Sequence, residues 1–500
     1  MGDERLVGDL PLTDAATAAE QVPDDACLAV SGFGSVGYPK AVPLALARAA
    51  GWEGTLDGGE GDGPPATGDR DLSLTVVSGG SVGDELDTAL VEAGAMARRF
   101  PYQARAASRS AANDGSVAFH DRHIAGLGDE VRFGGLADPD IAIVEAVSVG
   151  EDWLVPSTSI GHTPAFVAAA DRLVVEVNRA QPLALGDLHD VYRLAPPPHR
   201  EPIPLTRPGQ RMGDRRVRFD PGKLVAVVET ETRDSPYSFR DPSPRDEAIA
   251  ANLGDFLSEE VERNPAFAEA VRLQFGVGSL GNALMGELGS VDFGDREVAY
   301  FGEVIQDGLL DLLDEGSLAA ASATSLALSA EGQDRLFADV ERYADDVVLR
   351  PADVSNSAEL VARLGVVAVN SALEVDLYGH VNSTHVGGTH VRTGVGGSGD
   401  FNRNALVSVT ALPSTAAGGD IPRIVPMAPH VDHTEHDVGV VVTEQGVADL
   451  RGRSPRERAD LLVEECAHPD FRPALRSYLD RARETGGHVP HDLPSAFDWE

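Results

Sequence analysis

Lysine is almost missing from this 500-residue chain. Only Lys40 and Lys223 occur among 41 basic residues, so arginine carries nearly all the positive charge. Cysteine is equally scarce: Cys27 and Cys466 offer neither a disulfide framework nor a paired metal motif. No apolar run approaches the roughly 18 residues of a membrane-crossing helix, so no membrane partner is expected. The first residues, MGDERLVGDL, are acidic where a signal peptide is basic and then apolar. Leu6 stands where a myristoylation motif wants Ser or Thr. A net charge of -39 argues against nucleic acid, because phosphate binding needs a basic face.

Acid is present in excess, and with so little lysine it suggests a surface built for concentrated salt, where counterions screen self-repulsion. The composition is that of a halophilic, haloarchaeon-like cytoplasmic protein. Apolar runs recur along the chain, so disorder is confined to short segments. Short β-branched runs alternate with Ala/Leu-rich helical stretches, the pattern of an α/β protein with largely parallel sheets. The strand candidates are CLAVS, LSLTVVS, SVAFH, IAIVEAVSV, LVVEVN and LVAVVE, then VRLQF, REVAYFG, DVVLR, VVAVN, RIVPM and VGVVVT. They form two similar open-sheet halves, an N-terminal domain over 1–235 and a C-terminal domain over 236–500. The join lies in DSPYSFRDPSPRDE, residues 234–247. Residues 51–71 read as a surface loop and 195–210 as a proline-stiffened excursion.

Each half opens with a strand, a G-x-G-x-x-G loop and a helix. Gly32, Gly34 and Gly37 form the first loop, and Gly276, Gly278 and Gly281 the second. That spacing cradles a dinucleotide pyrophosphate, provided an acid ends the next strand about 20 residues on. The first loop fails this condition, because LSLTVVS ends in Ser78. The second meets it, since Glu303 follows Gly281 by 22 residues at the end of REVAYFG. An NAD-binding oxidoreductase therefore stays open, beside plain close-packed turns. A third glycine cluster, TGVGGSGDFNRN at 393–404, presents backbone N–H groups suited to an anionic oxygen. A carboxylate together with such donors points to acyl chemistry with Glu as nucleophile.

The phrases SGFGSVGYPKAVP, VEAVSVGEDWLVPSTSIG, YGHVNSTHVGGTH, VGGSGDFNRNA and RIVPMAPHVDHTEHDVGVVVTEQGVADLRG span most of residues 30–470. In them the chain resembles the acetyl-CoA hydrolase/transferase family, which includes the succinyl-CoA:acetate CoA-transferases. The resemblance implies two α/β domains of the CoA-transferase (NagB-like) type with the active site between them, and a homodimer. It implies that Glu303, in GEVIQDG, is the nucleophile that becomes a glutamyl-CoA thioester. Asn356 in DVSNS and the backbone N–H of Gly397 are the implied oxyanion donors. Coenzyme A, as a substrate and not a permanent cofactor, is expected against Gly278, Ser279, Leu280, Gly281 and Asn282, with Thr393, Gly397 and Ala417. Ser81 in GGSVG and Glu444 in TEQG are expected at the substrate pocket, Glu444 otherwise being a strand-end residue that caps a following helix.

One departure stands out. The family reads S-T-A-K-G-G where this chain has STAAGG, so Ala417 replaces a lysine implied to contact CoA phosphate. Losing that cation should weaken CoA binding unless a nearby arginine substitutes for it. His430, His433 and His436 in HVDHTEHD, and His380, His385 and His390, are expected to be hydrogen-bonded clusters, with no metal. Ser279 and Ser398 lack the G-x-S-x-G frame of a serine hydrolase. The function expected is CoA transfer between a short-chain acyl-CoA and a carboxylate such as acetate or succinate. Acetyl-CoA hydrolysis is the alternative.

Overall fold

The computed structural model describes residues 4–56, 66–235, 240–276, 278–289 and 291–497. Part of the 51–71 loop and part of the 234–247 join therefore lie outside the described residues. The chain divides into two compact units. One comprises Met1–Ser238, Gly302–Leu310 and Ala320–Leu360, the other Phe239–Phe301, Asp311–Ala319 and Val361–Glu500.

The first unit carries a parallel sheet in the order Leu224–Thr230, Arg172–Asn178, Ile141–Gly150, Cys27–Val30, Leu74–Ser78, Met96–Phe100 and Ala118–Phe119. All ten residues of Ile141–Gly150 are buried, which is why that strand reads as an apolar run interrupted only by Glu145 and Ser148. Met96–Phe100 was not legible as a strand because Arg99 interrupts it. Arg99 is fully buried and donates to Asp87 through Nε at 2.7 Å and Nη2 at 3.2 Å, a neutralised pair inside the unit. The second unit carries the sheet Glu297–Phe301, Ala270–Phe275, Val367–Ser371, Val407–Ala411 and Val440–Thr443, all parallel, closed by antiparallel Gly446–Asp449.

A single cut at 235/236 would give Glu303 to the second unit. The contacts group its segment with the first. Val304 packs in a buried cluster with Phe33, Val36, Ile124, Ala327 and Ala352. The amides of Ile160, Leu326 and Ala352 bond to the carbonyls of Thr324, Thr158 and Gly161, tying the Ala320–Leu360 segment to the Ser157–His162 stretch. The join also begins later than 234. Asp234 is 6% exposed and accepts from Gly37 N and Gln181 Nε2, so it belongs to the first unit's interior. Nor is 195–210 a purely surface excursion, since Ile203 and Leu205 are buried.

Both surviving lysines have a physical reason to be lysine. Lys40 is 3% exposed, and its Nζ reaches Tyr38 O at 2.9 Å, Glu145 Oε2 at 2.5 Å and Asp234 Oδ1 at 2.9 Å. Lys223 Nζ donates to the carbonyls of Val167, Ala168 and Ala170 at the end of helix Thr163–Ala169. Each site needs three donors diverging from one point, which a planar guanidinium cannot supply.

Candidate active site

Glu303 lies two residues beyond strand Glu297–Phe301, in a turn whose backbone is fixed from one side: its carbonyl accepts the amides of Thr324 at 2.9 Å and Ser325 at 3.2 Å. The side chain is half-buried, and its Oε1 accepts a hydrogen bond from Asn356 Nδ2 at 2.7 Å. Asn356 is fully buried and ends the short helix Ala352–Ser355, its amide bonded to Ala352 O. The chain entering that helix is anchored by Arg350, a residue sequence reading missed. Arg350 is fully buried and forms an ion pair with Asp190, with Nε donating to Ser322 Oγ at 2.9 Å. Glu303 and Asn356, 53 residues apart in sequence, are thus brought into contact by rigid, buried supports.

The first glycine loop packs on this segment. A Cβ on Gly34 would meet Ser325, Ala327 and Val304 at 3.4–3.6 Å. Gly37 has φ +65, and a Cβ there would lie 2.6 Å from Ser159 N, so only glycine closes the turn. Ser81 is 5% exposed in the adjoining Gly79–Gly83 turn, its carbonyl accepting Ser35 N at 3.0 Å. No pyrophosphate can lie at the helix that follows. Glu176, fully buried, already accepts the free amides of Lys40, Ala41 and Val42 at 2.8, 3.0 and 2.6 Å, filling the N-terminus of helix Ala41–Ala49.

The second unit holds the remaining expected residues. Gly278, at φ +140, opens helix Ser279–Leu288, which carries Ser279, Leu280, Gly281 and Asn282. A side chain at Gly278 would be strained by its backbone, although the space beside it is open. Gly276 abuts Asn370, which bonds to Gln274 at 3.1 Å and Asn402 at 2.8 Å. Asn402 lies in helix Ser398–Asn404, whose N-cap is the buried Gly397, so the two glycine loops share one amide network. Thr393 is half-buried four residues before Gly397.

Glu444 does not cap a following helix, because strand Gly446–Asp449 comes next. It accepts both the amide and the hydroxyl of Ser414 at 2.7 Å, fixing the STAAGG turn. Burial works to raise its pKa, but these bonds hold it below the ordinary carboxylate range. Ala417 adopts a left-handed φ of 48 in that turn. Arginines gather around it: Arg245 Nη1 donates to Thr415 Oγ1 at 3.2 Å, and Arg423 follows the paired strand Ile421–Pro422. Burial, then the charges of Arg392 and Arg245, lower the pKa of Arg423 against the pull of Glu444 and Glu374.

The histidine-rich segment separates. His436 is exposed, while His433 is buried between two serines. His385, His430 and Asp432 bring ligand atoms within 4.8 Å of one another. The two imidazoles lie with centroids 3.9 Å apart and planes tilted by 38°. Two histidines on one tetrahedral zinc, with Zn–N about 2.1 Å, hold their rings about 5 Å apart. His385 Nδ1 lies 2.6 Å from Thr384 Oγ1 and His430 Nε2 3.1 Å from Asp432 Oδ1, so both rings are hydrogen-bonded. No described helix is long and apolar enough to cross a membrane.

Residues 11–229 match the acetyl-CoA hydrolase/transferase N-terminal domain, and 332–479 the corresponding C-terminal domain. A succinyl-CoA:acetate CoA-transferase from Clostridium kluyveri is 41% identical over 97% of this chain and 87% of its own length. A propanoyl-CoA:succinate CoA transferase from Escherichia coli is 39% identical over 97% and 96%. An acetyl-CoA hydrolase from Eremothecium gossypii is 41% identical over 93% and 89%. The chain belongs to the acetyl-CoA hydrolase/transferase family. Its fold is shared with RipA from Yersinia pestis, at TM-score 0.69 and 22% identity over 95% of this chain and 98% of that one. A 4-hydroxybutyrate CoA-transferase from Porphyromonas gingivalis matches at TM-score 0.60 and 21% identity over 94% and 97%.

As a member of that family the chain is an enzyme of CoA transfer or hydrolysis. Its first unit carries an acid-sensitive support. His162 and His189 are 2% and 3% exposed and donate Nε2–H to the carbonyls of Ile124 and Ser157 at 3.0 Å. Burial pushes both down to about 4 from the ordinary 6.5. The unfolded chain therefore binds protons near pH 6.5 that the folded chain refuses until about pH 4, so this stability is full above 6.5 and lost on acidification. The expected loss by pH 4 is roughly 3 kcal/mol per histidine. Denaturant unfolding at fixed salt measures it, and a stability unchanged between pH 6.5 and 5 would contradict the assignment.

Proposed function

We propose that the protein is a CoA-transferase. It moves CoA between a short-chain acyl-CoA, acetyl- or succinyl-CoA, and a carboxylate such as acetate or succinate. The observation that carries the reading is the half-buried Glu303 carboxylate with the buried Asn356 amide 2.7 Å from its oxygen. The carboxylate attacks the thioester carbonyl and expels CoA thiolate, leaving an acyl-glutamyl anhydride. The thiolate then attacks the glutamyl carbonyl, releases the first carboxylic acid as carboxylate, and leaves CoA as a thioester on Glu303. An incoming carboxylate runs the same steps in reverse. Each tetrahedral intermediate carries an oxyanion, for which Asn356 Nδ2 and the Gly397 amide are the donors. Bonds of similar energy are exchanged, so the steps balance without a nucleotide or a metal.

Ser81 and Glu444 serve the substrate pocket, the latter by holding the Ser414 turn. CoA lies along Gly278–Asn282, with Thr393 and Gly397 at its thiol-bearing arm. Its phosphates face the Ala417 turn, where Arg245, Arg392 and Arg423 supply the charge that Ala417 does not. Arg423→Ala is therefore expected to raise KM for acyl-CoA at least about tenfold, about 1.4 kcal/mol, with kcat within a factor of about two. An unchanged KM would remove the arginines from the CoA site. We place the enzyme in the cytoplasm of a salt-rich cell, the salt supported by the net charge of -39, and as a homodimer on the family resemblance alone.

The test of transfer against hydrolysis is an acceptor screen in high salt. Acetyl-CoA consumption in buffer alone is expected to be at least about tenfold slower than with succinate present, a barrier difference of about 1.4 kcal/mol, with ping-pong kinetics. Equal rates with and without carboxylate would identify a hydrolase.

A further inference from the structure

His433 is the buried histidine that the mechanism leaves unused. It is 2% exposed, and its backbone is locked, His433 N to Val381 O at 3.1 Å and Val381 N to His433 O at 2.9 Å. Its Nε2 lies 3.1 Å from Ser398 Oγ and 3.3 Å from Ser383 Oγ. Ser398 is the residue directly after Gly397 and the first residue of its helix. Ser398 Oγ also reaches Val395 O at 2.8 Å, and Ser383 Oγ reaches Asp432 Oδ2 at 3.3 Å. With the hydroxyl hydrogens spent on those oxygens, an Nε2–H tautomer satisfies both serine contacts at once.

The neighbouring Asp432 reinforces the same strap. Its carboxylate accepts Ser383 N at 2.6 Å, Thr384 N at 3.0 Å and Thr384 Oγ1 at 2.9 Å. Residues 432–433 thus bind the Asn382–His385 turn on one side and the Gly397–Ser398 turn on the other. Gly396, at φ +58, precedes Gly397, so the two residues that carry the amide have no side chains of their own to fix it, and Ser398 is the first that does. An N–H that must meet a developing oxyanion within tenths of an ångström needs an external fixture.

We propose that His433 is a positioning residue, whose Nε2 holds the Ser398 hydroxyl and thereby sets the Gly397 amide for oxyanion binding. The proposal rests on the reading of Gly397 as an oxyanion donor. His433→Leu should lower kcat at least about tenfold per folded enzyme, with KM for acyl-CoA within about twofold. His433→Gln, which returns an amide N–H near the place of Nε2, should recover kcat to within about threefold of wild type. Ser398→Ala approaches the same contact from its other end and should lower kcat as His433→Leu does, and the double variant should be no worse than either single one. A role in folding alone would lower Tm and leave kcat per folded molecule unchanged. That result, additive losses, or no rescue by glutamine would overturn the proposal. Gly397→Pro removes the amide hydrogen itself and separates the two readings. If it is severely impaired while His433→Leu and Ser398→Ala are normal, only the role of His433 fails; if it turns over normally, the oxyanion role of Gly397 fails and this proposal with it.

Discussion

Replacing Glu303 by glutamine is expected to abolish turnover, lowering kcat by at least about four orders of magnitude, the scale on which a covalent nucleophile is lost. The glutamine keeps the size of the side chain and an oxygen for Asn356 Nδ2, now 2.7 Å away, so Tm should stay within a few degrees of wild type. Glu303→Asp keeps the charge but withdraws the carboxylate by one methylene from a site whose partner is fixed. A displacement of about 1 Å costs on the order of 100-fold. The aspartate variant should therefore retain measurable activity where the glutamine variant has none. Steady-state acyl-CoA consumption with succinate checks both. A glutamine variant with more than a few percent of wild-type activity would move the nucleophile elsewhere.

Asn356→Ala carries the second-largest expected effect. The side-chain amide is buried at the end of a helix held by the Ala352–Gly161 bond and entered from the anchored Arg350, so it does not reorganise as charge develops. One such donor contributes roughly 3 to 4 kcal/mol to an oxyanion, and kcat should fall by about 100-fold or more while KM for acyl-CoA changes little. Asn356→Asp should be worse, since a second carboxylate beside Glu303 would repel its charge and raise its pKa. If the loss in Asn356→Ala lies wholly in KM, the amide binds the ground state and is no oxyanion donor.

Part of the candidate site is legible in the residues alone, since a carboxylate at a strand end and glycine clusters are local features. Asn356 and the Gly397 amide are named only by the family resemblance, because nothing local marks an oxyanion donor. The parallel sheets were legible where burial on both faces leaves continuous apolar runs, as in Ile141–Gly150. They were not legible where a charge is neutralised within the fold. Arg99 hides strand Met96–Phe100 because its partner Asp87 is known only from the structure. Strand Ala320–Ala323, sequence AASA, carries no β-branched residue and takes its conformation from its neighbour Val347–Leu349. The grouping of Glu303 with the first unit was hidden for the same reason. Val304 and Ala327 meet Phe33 and Val36 across nearly 300 residues, a separation no local pattern records. Arg350 went unassigned, and His433 was placed only in a hydrogen-bonded cluster, because a buried polar residue announces itself only through its partners.

The most direct test is to trap the covalent intermediate. The wild-type enzyme is incubated with acetyl-CoA without acceptor, quenched with borohydride or digested at low pH, and the peptides are weighed. A CoA adduct, or its reduced alcohol, on the peptide containing Glu303 is the result expected, lost when succinate is added and absent from Glu303→Gln. An adduct on a different peptide, or turnover with no adduct under conditions that stabilise thioesters, would contradict Glu303 as the residue through which CoA is transferred.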